Sequence, residues 1–298
     1  MAVERFAGGD ELPEGCIANA LSLTSPKDAC RLSLVDSTFR SAAESDAVWE
    51  RFLPEDWHNI ICRSTDCGDL LAVGSKKQLY LYLCDHPILI AGGTKSFSLE
   101  KWSGKKCYML AARSLQIIWG DTPRYWRWIS LPESRFSEVA ELLDVCWFDM
   151  SGKLNTNMLS PDTRYGAYLV FTTKSRTYGF GNQPAESSVG IAGHERETQT
   201  VYLDPQGGRR HRYQVVPRRL GIFTHHMAHI LRQEVEDEPE GRHPQQRSDG
   251  WMEIELGEFF VKRGQEAELE MSLTEVKGGN WKSGLIIEGI DIRPKEGK

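Results

Sequence analysis

The chain has no apolar run approaching the roughly 20 residues that a membrane-spanning helix needs. Its opening, Met1 to Asp10, holds no hydrophobic signal core either. A soluble protein of the cytoplasm and nucleus is expected, with no membrane partner. Positive charge is also in deficit: 36 Lys and Arg stand against 42 Asp and Glu, a formal net charge of −6. A nucleic-acid surface is therefore not expected as the main business of the protein. Seven cysteines at irregular positions include no Cys-x-x-Cys pair, and Asn-x-Ser/Thr is missing. These absences argue against a disulfide framework, a zinc knuckle and a glycosylated secreted chain. No phosphate-cradling glycine loop and no nucleophile elbow occur.

What is present changes character along the chain. Near the N-terminus, Pro13 stands where a helix start tolerates a missing N–H, and Ile17, Ala20 and Leu21 share a face. Ser25 is a candidate N-cap before Pro26, and Ala29, Leu32, Val35 and Phe39 follow at three- and four-residue spacing. A third helix is expected from Ser45-Asp46 through Val48, Trp49 and Phe52, ended by Pro54. Residues 61–95 read as a partly helical linker: Lys76 to Leu83 fits either a helix or a strand, and Ala91-Gly92-Gly93 reads as a hinge.

From residue 96 onward, alternation replaces helical spacing. Met252, Ile254 and Leu256 face one way, and Glu253 and Glu255 the other. Residues 268–274 and 285–292 read as further strands, as do 165–171 and 145–149. Many short strands with one apolar face imply an antiparallel sandwich. Between 174 and 248 the pattern is polar and irregular, with a basic cluster (Arg209, Arg210, Arg212, Arg218, Arg219) and an acidic one (234–240). Mobile loops are expected there, with nuclear targeting as an option for the basic cluster.

Residues 118–128 crowd Trp119, Tyr125, Trp126 and Trp128 around a Gly120-Asp121-Thr122-Pro123 turn. Flat rings beside polar groups suit a pyranose, whose C–H face stacks and whose hydroxyls hydrogen-bond. The same rings suit a packed core. Leu115, Ile117 and Trp119 share strand parity, which directs Trp119 inward unless Gly120 permits a bulge that re-aims it. Trp126 is the expected stacking residue, whereas Trp128, Trp147, Trp251 and Trp281 are expected to pack. His225 and His229 lie four apart but lack a third ligand, so no metal and no cofactor is expected. Glu253, Glu255, Glu268 and Glu270 alternate on polar faces, and no pair marks a glycosidase.

Residues 8–55 resemble an F-box, through Leu12-Pro13-Glu14, the Ser-Pro-Lys-Asp-Ala turn at 25–29, Leu32, Val35, Phe39 and the Trp49–Pro54 exit. That resemblance implies docking on a Skp-type adaptor, and through it cullin, by Leu12, Pro13, Ile17, Leu32, Val35 and Trp49. Residues 101–294 resemble the phloem lectin (Nictaba-like) family. The matching blocks are Cys107–Arg113, Ile118–Asp121 with Tyr125–Trp128, Glu138–Leu142, Arg247–Glu253, Gly257–Phe260 and Trp281–Gly289. This second resemblance implies a jelly-roll β-sandwich that binds N-acetylglucosamine oligomers or N-glycan cores. It ties Trp119 and Trp126 to sugar, with Asp121 and Tyr125 as hydrogen-bonding neighbours.

The expectation is an α+β multidomain chain: a helical F-box (1–60), the linker (61–95) and a lectin-like sandwich (96–298). Such a chain would be a non-catalytic substrate receptor of an SCF-type ubiquitin ligase with a glycoprotein target. A protein-recognising receptor with a vestigial groove, a free lectin and a carbohydrate-active enzyme are the alternatives.

Overall fold

A computed structural model describes residues 12–180, 184–193, 196–204 and 241–295. The helical half begins with α1 (Glu14–Ser22), α2 (Pro26–Leu32), α3 (Ser37–Glu44) and α4 (Asp46–Phe52). Local chemistry sets the starts. The Ser25 hydroxyl accepts from Asp28 N at 3.1 Å and donates to the Asp28 carboxylate at 2.8 Å, with Pro26 in the first turn. The expected continuous helix through Phe39 is broken. Asp36 caps a new helix by accepting from Thr38 N (2.7 Å) and Phe39 N (2.9 Å), so the chain turns between Leu32 and Ser37. That turn takes Val35 off the apolar stripe and into solvent.

Leu21, Ala29, Ala42, Val48 and Trp49 form the helical core. Trp49 donates from Nε1 to Ala43 O at 2.6 Å, and its ring meets Phe52 at 5.5 Å and Tyr80 at 5.1 Å. Burying an indole of this kind removes about 200 Å² from water, on the order of 5 kcal/mol before entropic costs.

Residues 61–95 are not a linker. After α5 (Trp57–Cys62) come α6 (Cys67–Leu71) and α7 (Lys76–Asp85), the last capped by Ser75. Leu79, Tyr80 and Leu83 are buried in the same core as Trp49. Strand β1 (Ile88–Ile90) then enters the sheet, and the expected hinge at Ala91-Gly92-Gly93 is a hairpin turn to β2 (Lys95–Leu99), closed by Gly93 N to Ile90 O at 3.1 Å. Specific contacts fasten the halves. The Tyr80 hydroxyl donates to the carbonyls of Glu100 and Lys101 (3.2 and 3.1 Å), and Lys106 Nζ pairs with Asp56 at 2.8 Å. Gly104, at φ +69°, brings its backbone so near Phe52 that a Cβ would lie 2.8 Å from the Phe52 carbonyl oxygen. Apolar side chains from both halves form one continuous core.

The remaining strands are β3 (Lys106–Ala111), β4 (Gln116–Ile117), β5 (Trp126–Ile129), β6 (Val139–Leu142), β7 (Phe148–Asn155), β8 (Thr163–Tyr178), β9 (Ala185–Ile191), β10 (Glu197–Val201), β11 (Gln245–Gln246), β12 (Met252–Val261), β13 (Glu268–Glu275) and β14 (Ser283–Pro294). All ladders are antiparallel. One sheet runs β1-β2-β3-β14-β8-β12-β11, with β6 and then β5 branching from β14; the other runs β10-β9-β13-β7-β4. Leu169, Phe171, Ile290 and Ile292 of the first sheet pack in one core with Met150, Leu154, Leu269 and Met271 of the second.

The irregular stretch expected at 174–248 holds more order than its polarity implied. Strands β9 and β10 pair there, with Ala185, Ser187, Val189 and Ile191 turned inward. The small Ala and Ser disguise the alternation. The basic cluster at 209–219, His225, His229 and the acidic cluster at 234–240 lie outside the described residues.

The long apolar run in β14 has its own cause. Its outer face is covered by Phe136, Val139 and Trp251, which close over Met109, Ala111, Val170 and Ile286. A strand buried on both faces loses the polar half of its pattern. One carboxyl, Glu288, is caught beneath this cover; it accepts from Arg135 N at 2.7 Å and Ser134 Oγ at 3.2 Å, and burial pushes its pKa up.

Candidate carbohydrate site and docking surface

The aromatic turn grows from β4, the edge strand beside β7. Ile118 N still bonds Asp149 O (3.0 Å), and then Trp119 takes φ +58°, a left-handed backbone that costs an L residue about 1–2 kcal/mol. The chain folds back immediately: Gly120 N reaches Ile117 O at 3.0 Å, and Thr122 N reaches Trp119 O at 2.8 Å. Strict alternation would send Trp119 inward. Its own left-handed backbone, with Gly120 packed 3.1 Å from Ile117 at the Cβ position, turns it out instead. The ring is 44% exposed and lies 5.2 Å from that of Tyr125, centroid to centroid.

Trp126 is the opposite case, and the expectation that it stacks on a ligand is corrected. As the first residue of β5 it points inward, 2% exposed, against Phe148 at 6.3 Å. Its Nε1 has no hydrogen-bond partner among the described residues. The next residue, Arg127, faces out and pairs with Glu141 at 2.8 Å. Trp128 is half-buried and serves the turn. Its Nε1 donates to Gly120 O at 3.0 Å, and Arg113 lies over its ring at 3.7 Å while bonding Glu138 at 2.9 Å. The Arg113 hydrogen bond holds the Glu138 carboxyl below its ordinary pKa. Asp121 stands fully in solvent, 3.9 Å from Arg113. Trp119, Asp121 and Tyr125 are thus brought together at the surface, with Trp126 beneath them as core.

Two further tryptophans expected to pack are about half exposed, Trp147 and Trp281, and so is Tyr178. The reciprocal bridge between Val145 and Lys282 (3.0 and 2.7 Å) sets their segments side by side, and Tyr178 donates to Asp144 at 2.8 Å. A signal for their exposure existed. Trp147 precedes the buried Phe148 and Trp281 precedes the buried Lys282, so alternation turns both outward. Lys282 is enclosed with Glu275 as an ion pair and donates to Asn280 O (2.7 Å) and Cys146 O (3.2 Å); burial lowers its pKa.

The strand carboxylates are engaged with cations rather than with each other. Glu253 bonds Arg293 and Arg247, Glu255 pairs with Lys295 and Arg242, and Lys153 joins Glu268 to Glu270. Among the described residues no group of three His, Cys, Asp or Glu side chains is placed to hold a metal ion.

The six expected adaptor residues separate into two sets. Ile17 and Trp49 are buried, so their assignment to a docking surface is corrected to core packing, and Leu32 is half-buried against that core. Leu12, Pro13 and Val35 are exposed. They are joined by two residues the sequence reading missed, Leu23 and Leu34, in the turns at either end of α2. Leu12, Leu23, Leu34 and Val35 are between 61% and 77% exposed.

These features define a mixed-helix and antiparallel-sheet protein, with unburied apolar side chains at the helical end and a solvent-facing tryptophan turn on the sheet half. Residues 105–294 match the phloem protein 2 family. Relatives from Arabidopsis thaliana extend the likeness to nearly the whole chain. F-box protein At2g02240 is 47% identical over 96% of this chain and 80% of its own length. F-box protein PP2-B1 is 42% identical, over 99% of this chain and 92% of its own length. F-box protein PP2-B10 is 46% identical, over 96% and 93%. The chain belongs to the phloem protein 2 family, in the form that joins an F-box to a phloem lectin domain.

Proposed function

We propose that the chain is the substrate-receptor subunit of an SCF-type cullin-RING ubiquitin ligase, acting in the cytoplasm and nucleus. Its helical end takes up a Skp-type adaptor, and through it cullin. Its two sheets, read as a jelly-roll lectin domain, hold N-acetylglucosamine oligomers or N-glycan cores on a target glycoprotein. The chain performs no bond chemistry of its own.

The observation that carries this reading is the set Leu12, Leu23, Leu34 and Val35, left in water by a helical core that is complete without them. Large apolar side chains left in water at one end of a fold are what a partner surface covers. Trp119 supports the second half of the reading, since it is held out at a backbone cost next to Tyr125 and Asp121.

The test is capture of a recombinant Skp-type adaptor by the full chain. Each leucine-sized side chain buried in the complex is worth about 1.5–3 kcal/mol. Leu34→Asp with Val35→Asp should therefore weaken capture by about 100-fold or more while leaving the melting temperature unchanged. A folded chain that captures no adaptor overturns the assignment. The burial of Trp126 favours a second reading, in which the sheet half recognises a protein surface and the sugar groove is vestigial. Adaptor capture without binding of chito-oligosaccharide would select it.

A further inference from the structure

The loop 100–105, which joins β2 to β3, is built around one side chain. The Glu100 carboxylate accepts from Trp102 N at 3.1 Å, Ser103 N at 2.8 Å and Ser103 Oγ at 2.6 Å. Gly104 N donates to Glu100 O and Glu100 N to Lys105 O, both at 2.8 Å. From the helical half, the Tyr80 hydroxyl donates to the carbonyls of Glu100 and Lys101, and Lys101 Nζ pairs with Asp85 at 3.0 Å. These bonds fix the backbone on both sides of Trp102, yet its indole is left 50% exposed, with no hydrogen-bond partner for Nε1 among the described residues. The neighbour of that ring belongs to the other half of the chain. Lys27, in the first turn of α2, stands with Nζ 6.0 Å from the Trp102 ring centroid. It is exposed and has no carboxylate partner among the described residues. Leu23, four residues before it in the turn entering α2, is 72% exposed. Trp102 thus continues, from the sheet half, the apolar surface that α2 carries.

We propose that Trp102 is an anchor of the adaptor-docking surface, which is therefore built from both halves of the chain. The inference rests on the adaptor reading above and extends its surface beyond the helices. The occupant follows from continuity and charge: an adaptor seated on Leu23 meets Lys27 next and Trp102 behind it. Its side of the contact is an apolar pocket that takes the indole, with a carboxylate beside it for the unpaired Lys27 cation. Tryptophan is enriched among the few residues that carry most of an interface's binding energy, and a ring on a loop already fixed by hydrogen bonds loses little freedom on binding. The joint at Tyr80 and Gly104 then has a second consequence, since it holds in register the two parts of one docking surface.

Hydroxyl-radical footprinting of the full chain, free and with a recombinant Skp-type adaptor, reads the contact by mass spectrometry. Oxidation of Trp102 should fall in the complex to the level of the buried Trp251, while Trp119 and Trp147 oxidise as they do in the free chain. Trp102→Ala should weaken adaptor capture about 30-fold, the loss of one interface anchor, and leave the melting temperature unchanged. Lys27→Glu should slow association and reduce its dependence on salt. If Trp102 oxidises equally in both states and Trp102→Ala captures as the parent does, while Leu34→Asp with Val35→Asp still weakens capture, this inference is overturned and the adaptor reading stands. A parent chain that captures no adaptor overturns both.

Discussion

Replacing Gly104 with alanine tests whether the helical and sheet halves form a single cooperative body. At φ +69° any L side chain costs about 1–2 kcal/mol. A Cβ there would also stand 2.8 Å from the Phe52 carbonyl oxygen at the end of α4 and 3.4 Å from the Tyr80 ring. The first of these contacts is backbone and cannot swing aside, so overpacking adds about 1–3 kcal/mol. Gly92 supplies the control. Its φ is +65° and nothing lies within 4 Å of its Cβ position, so Gly92→Ala should cost the backbone term alone. At about 2–4 °C per kcal/mol, Gly104→Ala should lower the melting temperature by roughly 4–20 °C and Gly92→Ala by roughly 2–8 °C. The assay is thermal unfolding followed at once by far-UV circular dichroism and by tryptophan fluorescence, which report the helices and the indoles of both halves. A continuous core through Trp49, Tyr80, Phe97 and Leu110 predicts coincident transitions that move together. Equal shifts for the two alanines, or a separate helical transition that Gly104→Ala leaves in place, would refute the reasoning.

The tryptophans of the turn should separate by substitution. Trp126→Ala should destabilise the chain by about 3–5 kcal/mol through cavity formation, whereas Trp119→Ala should change stability little and weaken chitotriose binding about 2- to 13-fold, the worth of one aromatic contact. Titration calorimetry and urea unfolding on the same samples check both, and a folded Trp126→Ala variant that has lost the sugar would reverse the assignment. The second prediction concerns pH. Burial raises the Glu288 pKa in the folded chain, so its contribution to stability is complete below the unfolded carboxyl value near 4.3 and is lost as pH rises through the higher folded value. Glu288→Gln keeps an oxygen for Arg135 N and should raise the melting temperature at pH 7 but not at pH 4; an equal shift at both would show that ionisation is not the cause.

The start of α2 was legible because it is local: Ser25 satisfies the Asp28 N–H three residues away. The strands β12 and β13 were legible because one face of each carries large apolar side chains, and β14 because its apolar run is long. Where the reading failed, apolar spacing alone did not decide. The stripe Ala29-Leu32-Val35-Phe39 fits one helix as well as two, and only the capping by Asp36 ends the first. Tyr80 belongs to the core because Glu100 and Lys101, twenty residues on, present carbonyls to its hydroxyl. The parity of Trp119 and Trp126 depended on a left-handed backbone at a tryptophan, which no residue preference announces. Alternation did carry the exposure of Trp147 and Trp281, through their buried neighbours Phe148 and Lys282.

The two proposed recognition ends share an energetic character. Trp119 holds a backbone conformation costing about 1–2 kcal/mol, a sizeable part of a net stability of about 5–15 kcal/mol, and the helical end leaves Leu23 and Leu34 in water, where burial elsewhere would have stabilised the fold. Strain kept in a folded state points toward binding. The joint between them differs in kind: the Tyr80 hydroxyl, the Lys106–Asp56 pair and the backbone approach at Gly104 are all satisfied internally. The chain therefore gives up stability at the two proposed recognition surfaces and regains it at the joint between the halves. In a substrate receptor this arrangement fixes the distance and angle between adaptor and target, so a target would be selected by where its lysines fall in that frame as well as by what Trp119 touches.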